Sequence, residues 1–218
     1  MNELTIDEYS FQSKSVQRML QTSEINVLGP LQTIYEIMCY DHTVGSFTSE
    51  LTEAVLYDTL VRFNYFPLYI TTNFDELRED EMDLLERLKL RPFVYHEHPR
   101  YEGDQRRTSF YCCIEVVDVN GLHFVLKESF FRTAYSETFL VTFARPKFEL
   151  KTSGRWIFQE AKYTHVIDAR DRLPFILPSH DELGFMWFSN GDAFQTADQL
   201  KAILPTDYQI DYALNTYK

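Results

Sequence analysis

The sequence predicts an α+β fold: a helical N-terminal half packed on an antiparallel β-sheet centred on a hairpin at residues 109–131, closed by a short C-terminal helix. Three observations lead there. Apolar residues recur at helical spacing before Pro92 and at shorter, alternating spacing after Phe93. Asn120-Gly121 stands between β-branched and aromatic runs, the strongest short-range signal for a tight hairpin turn. Thr196 with Gln199 three residues later reads as a capping box that opens a last helix carrying Leu200, Ile203 and Leu204. This order divides the chain into a mainly helical region, 1–92, and a β-rich region, 93–218, with the boundary near Pro92 either a domain junction or a change of layer within one single domain.

Taken in order, the N-terminus reads as a loosely attached segment. A short helix follows over Ser13 to Thr22, with Val16, Met19 and Leu20 on one face. Gly29-Pro30 predicts a second helix through Cys39, because proline suits a first helical turn; its inward face would be Leu31, Ile34, Ile37 and Met38. Ser49 to Phe63 is dense enough in apolar residues for a third, ended by Pro67, with a short strand at Leu68 to Thr71. Asn73 to Glu76 resembles a capping box, opening a fourth helix with Leu77, Leu84, Leu85 and Leu88 as its stripe until Pro92.

Beyond Phe93 the expected strands are Phe93 to His96, the two arms of the hairpin, Thr138 to Ala144, and Arg155 to Val166; Tyr101 to Arg107 is a charged loop. A three-residue turn ending at Gly121 would bring Phe110, Cys112, Ile114 and Val116 onto one face with Leu122, Phe124 and Leu126. Cys112 then belongs to the core and Cys113 packs on the second face. The aromatic run Phe185 to Phe188 follows an irregular stretch around Pro174 and Pro178.

Composition narrows function. The chain has 18 Phe, 14 Tyr and only 7 Gly, which favours packed structure over disorder and leaves little glycine for a backbone phosphate cradle. No stretch has the length and apolarity of a membrane span, and the acidic, polar start lacks the order of a signal peptide. Three cysteines make no disulfide framework, in keeping with a reducing, cytoplasmic setting. Net charge is −12, and the half from Met1 to Ser109 holds 10 basic against 19 acidic residues. Such a balance disfavours nonspecific attraction to nucleic acid or anionic membrane.

The candidate sites follow from residue type and spacing. The outer face of the fourth predicted helix collects Glu76, Glu79, Asp80, Asp83 and Glu86; like charges at i and i+4 cost a few tenths of a kcal/mol per pair. A rod of carboxylates would meet a basic protein partner, while a merely solvated face accounts for the same pattern. His96 and His98, two apart on a strand, offer two ligands toward a metal site that needs three or four. Glu149 and Lys151 have the Glu-x-Lys form used by metal-dependent nucleases, with Asp118 upstream as a second carboxylate. Asp118 equally suits a backbone-bonding role beside Asn120. The segment from Arg145 to Arg172 interleaves Arg145, Lys147, Lys151, Arg155, Lys162, Arg170 and Arg172 with Trp156, Phe158 and Tyr163, a pattern shared by single-strand binders and by ordinary half-buried strands. Phosphate-loop, dinucleotide-fingerprint, nucleophile-elbow and Cys-x-x-Cys patterns are absent from the sequence.

The sequence therefore points to a non-enzymatic interaction protein, without a cofactor, that acts by surface contact as an acidic adaptor, inhibitor or assembly component of viral or phage accessory type. A homo-oligomer is compatible with this expectation. The alternatives are a nuclease or phosphodiesterase built on Asp118, Glu149 and Lys151, and a single-strand binder built on 145–172.

Overall fold

The computed structural model describes residues 2–75, 85–102, 105–131, 138–153, 160–179, 183–191 and 194–212. Its frame is a large mixed sheet, and the N-terminal segment is part of it. Glu3–Tyr9 forms β1, with Leu4 and Ile6 fully buried between polar neighbours, the period-two pattern of a half-covered strand. Lys14–Thr22 is α1, as its spacing predicts, and Val16 and Leu20 face inward. Ile25–Leu28 is β2.

Thr33–Asp41 is a strand, β3, where the sequence predicts a helix. Ile34, Tyr35, Ile37 and Cys39 are all within 1% of full burial, so one face of this segment is covered along its length and the other at its Ile34 end. Short apolar runs do not distinguish a buried strand from a buried helix, and here β-branched and aromatic residues packing on two sides decide the matter. Gly29, at φ +96°, turns the chain ahead of Pro30, which stands in the connection and not in a first helical turn.

Ser46–Phe47 is β4, and Ser49–Phe63 is α2, with the bounds its periodicity predicts. The Thr48 hydroxyl accepts from the Leu51 N–H at 3.2 Å to cap it, and Asn64 ends it in the left-handed region at φ 50°. Leu68–Asp75 is β5, longer than predicted, and it overturns the capping box at Asn73: the backbone there is still extended. Residues 85–87 are helical and Glu86 is exposed, whereas Glu76, Glu79, Asp80 and Asp83 lie outside the described residues.

The predicted hairpin at 109–131 is the main correction. Gln105–Val116 is one strand, β7, and Val119–Ser129 is a helix, α3. Asp118 caps it, its carboxylate accepting from the Gly121 N–H at 2.8 Å, so Asn120-Gly121 sits in the first helical turn. Leu122, Val125, Leu126 and Ser129 are buried, a spacing of three, four and seven, while Phe124 is only partly so. Cys112, Ile114 and Val116 do line the core as expected, and Cys113 is buried on the other face. β7 pairs instead with β5 on one side and with Arg91–Glu102, β6, on the other, the latter until Glu102 meets Gln105; the predicted charged loop at 101–107 is mostly strand.

The remaining elements are β8 (Leu140–Thr142), β9 (Lys147–Ser153), β10 (Glu160–Asp168), β11 (Phe175–Pro178), β12 (Gly184–Ser189), α4 (Ala197–Lys201) and β13 (Gln209–Tyr212). The capping box at Thr196 and Gln199 is present, with Leu200 buried behind it. Among the described residues, ten strands form the main sheet in the order β13-β1-β3-β12-β11-β8-β5-β7-β6, with β4 added beside β3. Neighbours are antiparallel except β13 and β1. A smaller sheet, β2-β10-β9, is separate.

Strands from the early and late parts of the chain thus alternate across one sheet, and a helical N-terminal half does not form. On one face α2, α3 and the Leu200–Leu204 turn pack over Leu4, Ile37, Ile70, Ile114 and Trp187. On the other, α1 and Ile25 of the small sheet pack over Ile34, Leu140, Phe175 and Phe188. That second cover reaches only part of the face, which fixes where surface is left open.

Candidate functional site

The open part is the end of that second face formed by β13, β1, β3 and β4. Alternation along β1 that buries Leu4 and Ile6 turns Glu3, Thr5 and Asp7 the opposite way. Their register partners on β3 are Tyr40, Met38 and Glu36; Glu3 and Thr5 meet Gln209 and Asp211 on β13, and Tyr40 meets Phe47 on β4. These four strands contain no lysine or arginine. Glu3, Asp7, Glu36 and Asp211 therefore share one side of a four-strand surface with Tyr40 and Phe47.

Asp7 and Glu36 are direct cross-strand neighbours, a like-charge pairing that sheets avoid. Burial pushes the Glu36 carboxyl above the ordinary carboxylate range; hydrogen bonds from the Tyr9 and Ser179 side chains oppose the rise, and the charge of Asp7 adds to it. Burial also raises Asp7. The two carboxylates are thus held together at an electrostatic cost and without a compensating cation in their own strands.

At the other end of the surface, aromatic rings gather. Tyr40 stands edge-on to Phe47 at 5.2 Å and to His42 at 4.9 Å. The Glu3 carboxylate lies 3.3 Å from the His42 ring nitrogen. Asp41 closes the β3–β4 turn by accepting from the Thr43 and Val44 N–H groups, and these bonds hold its carboxyl below the ordinary range. Phe47 is 38% exposed and Val44 66%, so the turn presents apolar surface beside carboxylates.

The residues singled out by sequence fall elsewhere. Asp118 caps α3 on the helical side of the main sheet, whereas Glu149 belongs to β9 of the small sheet on the opposite side, and the fold does not bring them together. The Lys151 side chain lies outside the described residues, as do those of His96 and His98, whose backbones pair with Tyr111 and Ser109. His123 is an exposed residue of α3 against Tyr57 at 5.4 Å. Among the described residues, no three His, Cys, Asp or Glu side chains converge as metal ligands.

The basic segment supplies one wall of a cleft of about 190 Å³ between the two sheets, where Arg145 and Lys147 face Glu149, Asp168 and Asp171. Arg170 grips Asp168 through two bonds, at 2.8 and 2.5 Å, and holds that carboxyl down at about 2. Cations and carboxylates alternate there, so the cleft has no continuous positive track for a phosphate backbone. Trp156 and Phe158 lie outside the described residues.

Sequence reasoning missed the acidic sheet face because it treated residues 1–10 as loosely attached. The run Glu3-Leu4-Thr5-Ile6-Asp7 alternates polar and apolar and carried the signal. No family model, curated protein or solved structure matches this chain.

Proposed function

We propose that this protein works by contact, as an acidic adaptor, inhibitor or assembly component that engages a basic protein partner. One observation carries the reading: Asp7 and Glu36 oppose each other across β1 and β3 on a sheet surface whose four strands hold no cation. Burial raises both carboxyl pKa values, with the Asp7 charge adding to Glu36, and a partner's positive charge set against two neighbouring carboxylates favours their charged forms. The net charge of −12 supports the same reading by steering cationic surfaces toward the chain. The acidic run Glu76, Glu79, Asp80, Asp83 and Glu86 would extend the attraction.

The test is a paired pull-down from the native host, comparing the wild type with Glu3→Gln/Asp7→Asn/Glu36→Gln and with Glu79→Gln/Asp80→Asn/Asp83→Asn. The expected result is recovery of a basic protein that is released by raising salt and lost in the first variant. Undiminished recovery by both variants would remove acidic contact as the mode of action.

A further inference from the structure

We infer that the cleft between the two sheets is a binding site for a small zwitterion, an α-amino acid with an apolar side chain. This is a second capacity of the molecule, separate from the acidic surface on β1 and β3. The floor of the cleft is apolar: Val166 of the small sheet lines it together with Pro174 and Phe175 at the start of β11, and all three are buried. Leu28 and Leu173 stand partly exposed at its margin. The Thr142 hydroxyl, also in the lining, already donates to the Ala144 carbonyl at 2.9 Å. Volume sets the size of the occupant. An apolar cavity of about 150 Å³ accommodates benzene, so the cleft, at about 190 Å³, takes a side chain of leucine or phenylalanine size and not a nucleotide or an oligosaccharide.

Charges of both signs stand around this floor. Asp168 is occupied, since its carboxylate accepts from the Arg170 side chain and from the Arg170 backbone N–H. Arg145, Lys147, Glu149 and Asp171 are not: among the described residues none of these four makes an ion pair, although all line one small cleft. Lys147 and Glu149 are two apart on β9 and project from the same side of it without closing on each other. Arg145 rests over the Phe93 ring at 5.8 Å, and Asp171 lies only within the field of Arg170. Opposite charges left apart around an apolar floor fit a ligand that carries both. A carboxylate set against Arg145 and Lys147, with an ammonium toward Glu149 and Asp171, answers all four. A phosphate would meet two repelling carboxylates, and a simple amine two repelling cations. An apolar recess with a few polar groups at the junction of two packed layers is also where small ligands usually bind.

The test is calorimetric titration of the full chain with L-leucine and L-phenylalanine. Beside them go 4-methylpentanoate and 3-methylbutylamine, which are leucine without its amino group and without its carboxylate. Saturable binding of at least one amino acid is expected, with the acid and the amine each about tenfold weaker, because each leaves two charges of the cleft unanswered. Lys147→Gln and Glu149→Gln should each weaken the amino acid roughly three- to tenfold. Leu28→Trp, at a partly exposed position, should block entry. Lys147 and Glu149 are exposed, so both glutamine variants keep the fold, and thermal melts check this. Absence of saturable heat from both amino acids at millimolar concentration would overturn the site. So would an acid or amine that binds as tightly as leucine, or an affinity unmoved in both glutamine variants. None of these substitutions touches Glu3, Asp7 or Glu36, so failure here leaves the contact reading in place.

Discussion

Between pH 6.5 and about 4 the unfolded chain takes up a proton at His165 that the folded protein refuses, because burial holds this imidazole down at about 4. Its ring is 2% exposed and packs 5.0 Å from Phe148. The stabilising contribution is complete above pH 6.5 and is lost as pH falls, amounting to about 3 kcal/mol at the acid end. Urea titrations at pH 7.5 and 4.5 should therefore show a smaller acid loss for His165→Phe than for the wild type. Glu36 and Asp7 act with the opposite sign: their raised values favour the fold at low pH, and that benefit is lost as pH rises through them. Glu36→Gln keeps acceptors for Tyr9 and Ser179 while removing charge. It should stabilise the protein by about 0.5 kcal/mol at pH 7, an advantage that disappears in acid, as read by thermal melts at both pH values. None of these environments was legible in the sequence, since nothing local to His165 marks its burial and Asp7 and Glu36 meet only through register.

At the scale of elements, three helices were legible and the hairpin was not. The capping box at Thr196 and the apolar patterns of Ser13 to Thr22 and Ser49 to Phe63 located three helices correctly, whereas the capping box read at Asn73 met extended backbone. The Asn120-Gly121 pair misled because the turn preference of those two residues is local, whereas Asp118 two positions earlier offers the helix its cap. Asp118→Ala should cost about 1 kcal/mol in urea melts through loss of that bond. The β6 edge shows another device. Pro92 pairs with Ile114 and Pro99 with Thr108, an even spacing on β7, although the prolines are an odd number of residues apart. The irregularity between Val94 and His96 accounts for this change of phase, and β6 is the outermost strand of the described sheet, where proline is tolerated. Both prolines then blunt the outer edge against strand addition. Replacing the two prolines with threonine is expected to produce concentration-dependent association in light scattering while the monomer's secondary structure persists.

For the whole molecule, what the sequence could not disclose is strand order. Alternation identifies a strand, but the sheet places β3 beside β12 and β8 beside β5, neighbours far apart in the chain, and no local pattern encodes such pairings. The expectation of helices first and strands later failed for that reason: β1 and β3 are early in sequence and central to one wing of the sheet. The acidic surface exists only as a product of this order, since β13 contributes Asp211 from the other end of the described chain. The same parallel pairing of Glu3 with Gln209 governs how the molecule assembles in time. One hydrogen-bonding edge of β1 must wait for β13, translated long after it, and closing so large a loop is slow compared with local helix formation. Pulsed hydrogen exchange during refolding should therefore find the amides of α2 protected before those on the β13 side of β1, and a ribosome-bound chain halted before residue 209 would hold an unfinished sheet margin exposed to its neighbours.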